Sequence, residues 1–125
     1  MARAILGVVA GLLAWVAIVA VAGVVMRGAW ADYAAVADAM TFTLPMMAAR
    51  LAIGALATVA AGWLAATIAE RSAIARLAPG LILLLLFIPQ HYLLWDKFPI
   101  WYHLTFLGSL VPLTWLGGQL AIRRA

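Results

Sequence analysis

Few residues of this 125-residue chain have side chains able to do chemistry. His91 and His103 each stand six positions from Lys97, on opposite arms of the segment Trp95-Asp96-Lys97-Phe98-Pro99. If that segment is a tight turn between two helices, equal spacing puts both imidazoles at one depth, about 6–9 Å below the turn at 1.5 Å per residue. Two histidines across a hairpin could ligate a metal ion or haem iron, or handle protons for a quinone head group. Asp96 is the only carboxylate in reach of them, which leaves a zinc site incomplete. Gln90 and Thr105 add polar capacity, and Pro89 frees a backbone carbonyl nearby.

Arg50 joins this group by depth. It is the one charge inside an apolar run, seven residues past Thr43 and so about 10 Å in from the start of its helix. A charge in the hydrocarbon layer is costly and normally finds a partner or marks a function. The candidate ligand-binding set is therefore His91, His103, Arg50 and Asp96. Each member also has a purely structural reading. Arg50 can snorkel to lipid phosphates or pair with Asp32, Asp38 or Asp96, and Trp101-Tyr102-His103 can act as an amphipathic anchor at the membrane interface.

Positioning these residues requires membrane-spanning helices. Hydrophobic residues make up 69% of the chain, charged residues 10%, and mean hydropathy is +1.15. A small soluble domain lacks the interior volume to hide so much apolar surface. Four runs between charges are each long enough to cross the roughly 30 Å hydrocarbon layer. The helices are expected at about 4–26, 43–69, 77–95 and 98–122, within a single domain over 1–125. The expected fold is all-α: an antiparallel four-helix transmembrane bundle. An Ala-rich stretch between Arg27 and Phe42 reads as a short interfacial helix, with Trp30 and Tyr33 at head-group depth. Pro79-Gly80 marks the expected start of the third span. The first run exceeds the roughly 7–15 residues of a signal-peptide core and is read as a span.

Arg3, Arg71, Arg76, Arg123 and Arg124 fall on one side of such a bundle, against Arg27 and Lys97 on the other, which predicts both termini in the cytoplasm. The preference for Arg over Lys points to a GC-rich bacterium, and the expected location of the four-span chain is a bacterial inner membrane. Trp30, Tyr92, Trp95, Trp101 and Tyr102 form an aromatic belt at the outer edge, and Trp15, Trp63 and Trp115 lie deeper as packing residues. Small residues carry the packing signal between helices, with Gly7 and Gly11 on the first and Gly54, Ala57, Ala61 and Ala65 on the second. The third span, Leu81–Phe87, has no such stripe and is expected to face lipid or a partner.

Several functions drop out. The eight basic residues are spread along the chain and make no nucleic-acid patch, and without cysteine there are no thiolate metal sites. Exchange of protons for cations needs a carboxylate within a span, and none of the four acids lies in one. The inner half is too apolar to line an aqueous channel, and no soluble-type catalytic motif is present. Two functions remain. The first is a non-catalytic accessory or assembly subunit that packs against itself or a larger membrane complex and carries no cofactor. The alternative is a ligand-binding membrane protein that holds a metal ion, haem or quinone near the outer face.

Overall fold

The computed structural model describes residues 2–70 and 72–124. Arg71, one of the residues behind the expected orientation, lies outside them, as does the side chain of Arg124. The chain forms helix α1 (Ala2–Ala29), a short helix α2 (Ala31–Val36), α3 (Leu44–Ile68), α4 (Ala73–Leu93), a 3-10 turn (Trp95–Lys97) and α5 (Ile100–Arg124). No strand occurs among the described residues. The four longer helices are each long and apolar enough to cross a membrane, and the chain is an all-α, four-helix integral membrane protein. The short helix α2 falls in the loop where the Ala-rich stretch predicts one.

α3 is the central rod, packed against α1 on one side and α5 on another, with α4 and α5 paired as a hairpin. Apolar helices have no reason to associate in lipid beyond close packing, so the contacts fall where backbones can approach. A Cβ on Gly7 would lie 2.5 Å from the Ala65 carbonyl oxygen, and one on Gly11 2.6 Å from that of Ala61. Ala57, Ala61 and Ala65 are fully buried. On the other side of α3, Gly62 abuts the Thr114 backbone and Gly117 abuts the Val59 carbonyl. The buried Trp15 indole donates to the Thr58 hydroxyl at 3.0 Å, and that hydroxyl donates to the Gly54 carbonyl at 2.6 Å.

One expectation about α4 needs correcting. The helix starts at Ala73, not at Leu77, because Ser72 caps it by accepting from the Ala75 amide at 3.4 Å. Pro79 therefore sits inside the helix, where neighbouring helices and tight packing tolerate it. Within Leu81–Phe87 one residue, Leu83, is buried, and Leu81, Leu85 and Leu86 are exposed, as expected of a run that faces lipid or a partner. The close approach on α4 comes just before it, where a Cβ on Gly80 would lie 2.7 Å from the Leu110 carbonyl oxygen. Trp63 and Trp115, expected as packing residues, are both partly exposed, and of the three deeper tryptophans Trp15 alone is buried.

At the end of the bundle that holds the termini, Arg3 pairs with Glu70 and donates to the Ile68 carbonyl, tying α1 to the end of α3. At the opposite end, Arg27 pairs with Asp38 at 3.1 Å. That second end, which carries α2 and the α4–α5 turn, holds the polar residues singled out above.

Candidate functional site

The tight turn between α4 and α5 brings the two histidines together. The Leu94 amide closes α4 onto the Gln90 carbonyl at 3.0 Å, and the Pro99 carbonyl opens α5 by accepting from the Tyr102 amide at 3.1 Å. His91 then stands in the last turn of α4 and His103 in the first turn of α5, both buried, with their Nδ1 atoms 2.6 Å apart. The Nε2 of His103 lies 3.2 Å from the Trp95 carbonyl oxygen, and the Trp95 indole stacks on the His103 ring at 4.6 Å.

These contacts fix the donor order when both rings are neutral. A carbonyl only accepts, so His103 Nε2 carries its proton and His103 Nδ1 offers a lone pair. His91 Nδ1 must then donate to it, which leaves His91 Nε2 as a free acceptor. Among the described residues the one sealed-in side-chain nitrogen or oxygen without a hydrogen bond is Arg76 Nε. His91 Nε2 also lacks a partner, so it must be reachable from an open space.

That space is a partly enclosed cavity of about 260 Å³ between α1, α3, α4 and α5. Trp15, Val19, Gly23, Phe87 and Phe106 supply apolar walls, while Arg50, Tyr33, Tyr102, Gln90 and His91 supply the polar groups. Arg50 does not pair with Asp32, Asp38 or Asp96. Its Nη1 donates to the Tyr33 hydroxyl at 2.8 Å and its Nε to the Tyr102 hydroxyl at 3.2 Å. The guanidinium also lies over the Phe42 ring, 4.6 Å from its centroid, with Phe98 at 5.8 Å. Aromatic faces and hydroxyl lone pairs take the place of a carboxylate around this cation.

Of the four candidate ligand-binding residues, then, Arg50 and His91 line the cavity, while His103 stands behind His91 and orients it. Asp96 is exposed on the 3-10 turn and joins neither. Thr105 is exposed, and neither it nor Pro89 lines the cavity. Two aromatic residues assigned to head-group depth are instead part of the site: Tyr33 is 3% exposed and Tyr102 4%. Their adjacency to Trp30 and Trp101 hid this, since an interfacial tyrosine and a buried, hydrogen-bonded one look alike in sequence. The available signal was the unpartnered charge of Arg50, which had to find hydroxyls if carboxylates were out of reach.

The donor set bears on which group the site can take. No cluster of three or more His, Cys, Asp or Glu exists among the described residues. The two imidazoles spend their facing nitrogens on each other, so they do not converge on a metal ion. A compact polar head with an apolar body matches the walls better. No family model, curated protein or solved structure matches this chain.

Proposed function

We propose that this integral membrane protein binds one small amphiphilic ligand at the bundle end carrying α2 and the α4–α5 turn. By the asymmetry of basic residues that end faces outward from a bacterial inner membrane. The observation that carries the reading is the cavity, apolar over most of its wall with a few convergent polar groups at one side. Such a composition is what small-molecule sites share. An organic head group on an apolar body suits these walls better than a bare metal ion or haem iron. A metal ion finds no converging ligand set, because His103 is held by His91 and Trp95, and haem iron would find one free imidazole nitrogen, that of His91.

The accessory-subunit reading, the first of the two that the sequence leaves, gains less from the structure. The small-residue stripes that could have seated another subunit are spent inside the bundle, with Gly7 and Gly11 against α3 and Ala57, Ala61 and Ala65 fully buried.

Gly23 provides the test. It lines the cavity, and a Cβ there meets nothing within 4 Å, so a side chain can begin at this position, and Gly23→Leu should fill the space. Protein purified in lipid nanodiscs should carry a co-purifying small molecule near one per chain by mass spectrometry, and Gly23→Leu should lose it. Equal small-molecule content in both, or none in either, would overturn the reading.

A further inference from the structure

The head group that fits this site is set by its charge and by its hydrogen-bond donors. Two ion pairs form among the described residues, Arg3 with Glu70 and Arg27 with Asp38. Asp32 and Asp96 are exposed. Arg50 therefore stands inside a membrane span with no carboxylate against it. A guanidinium has five N–H groups, and Arg50 gives one to each tyrosine hydroxyl. Three remain. Each hydroxyl, having accepted, still holds its own proton, and neither proton has an acceptor among the described residues.

Geometry directs these donors. Arg50 lines the cavity while its guanidinium lies over the Phe42 ring, so the N–H groups that the tyrosines do not take are the donors left for a ligand. Free N–H groups on neighbouring guanidinium nitrogens can engage a carboxylate or phosphate through two parallel hydrogen bonds. A cation in a low-dielectric surround gains most from a true counter-charge, and a neutral carbonyl supplies only a dipole. Beyond the polar corner the wall is aromatic and aliphatic, from Phe87 and Phe106 to Trp15 and Val19, which suits an alkyl chain.

We infer that the ligand is an anionic amphiphile, a single carboxylate or phosphate on an alkyl chain, its oxygens held by Arg50, Tyr33 and Tyr102. This rests on the cavity being a binding site at all, and it narrows what enters. A phosphate head that keeps one proton, or a hydroxyl along the chain, can also donate to His91 Nε2, the one acceptor that the ring order exposes.

The test is a titration of the full-length protein in phosphatidylcholine nanodiscs, followed by the fluorescence of Trp15 with the other tryptophans replaced by Phe. The probes are dodecanoate, dodecyl phosphate, dodecanol, a quinone with a ten-carbon tail, acetate and inorganic phosphate. Dodecanoate or dodecyl phosphate should bind at least tenfold more tightly than dodecanol, and which of the two wins identifies the head. Arg50→Gln should bring that ratio close to one, and Gly23→Leu should block both. Should Arg50→Gln fail to fold, Tyr33→Phe with Tyr102→Phe keeps the charge, removes two donors, and should weaken the anionic probe several-fold. Dodecanol binding as well as dodecanoate, or a quinone binding undiminished in Arg50→Gln, would overturn the anionic head while leaving a ligand site. Acetate or phosphate binding as tightly as the long-chain probes would overturn the amphiphile. If no probe binds and nothing co-purifies, the binding reading itself falls.

Discussion

Arg50 and its two hydroxyls form a unit whose members are worth little apart. Hydrogen bonds to a charged group contribute about 1.5–3 kcal/mol each, so Tyr33→Phe should lower unfolding stability by about 1.5 kcal/mol in a denaturant titration. In an Arg50→Met background the same change should cost almost nothing, because the cation that the hydroxyl served is gone. A Tyr33→Phe effect of equal size in both backgrounds would show that the hydroxyl acts elsewhere. His103→Leu tests the second unit. It strands the His91 Nδ1 proton and the Trp95 carbonyl, each costing about 1–3 kcal/mol if left unsatisfied in the interior. The hydrogen-bonded imidazole proton should vanish from the low-field NMR spectrum of that variant. The histidine pair was legible because two equal arms about Lys97 need only a tight turn to meet. Asp96, closer in sequence, was not legible as an outsider, since its position on the 3-10 turn points to no direction until the turn is built. Tyr33 was invisible for a similar reason: the rotation of α2 against α3 decides whether it meets lipid or Arg50, and nothing along six residues sets that rotation.

At the level of helices, the glycines divide into two kinds. Gly11 lets α1 lie against the Ala61 carbonyl, so Gly11→Leu must push two backbones apart and should lower thermal stability in detergent by several kcal/mol, as overpacking does at its severe end. Gly23→Leu, on the same helix but facing open space, should leave stability unchanged or raise it by about 0.5–1 kcal/mol through helix propensity. Equal losses in the two variants would contradict the α1–α3 seam. The fourfold spacing of Gly7 and Gly11, and of Ala57, Ala61 and Ala65, follows from helix geometry and could be read directly. The α3–α5 seam could not. Gly117 stands beside Gly118 and Gly62 beside Ala61, so nothing local singles them out, and where each meets the other helix depends on the register between two helices distant in sequence. Pro79 misled because a proline suits the first turn of a helix, yet the Ser72 cap had already begun α4 a full turn earlier.

For the molecule as a whole, four spans require the two termini to share a side, and the chain has no cysteine to confuse a labelling experiment. Single cysteines at Ser72 and Arg123 should react with a membrane-impermeant thiol reagent only from the cytoplasm, and those at Asp38 and Lys97 only from outside. The reverse pattern would invert the orientation and place the cavity toward the cytoplasm. The number of spans and their order were readable because apolar length is a one-dimensional property. A cavity is not, since it exists only where four helices fail to meet.

Arg50 stands six residues inside the start of α3, about 9 Å down a layer roughly 30 Å thick. Whatever ion comes to rest against it has thus travelled part of the way through the transmembrane voltage. In a uniform field that share is about a third of the roughly 2.3 kcal/mol per 100 mV that a full crossing costs one charge. Polarising a vesicle should therefore tighten or loosen the grip on an anion by a few-fold, and the sign of the change reads out which way the protein is inserted.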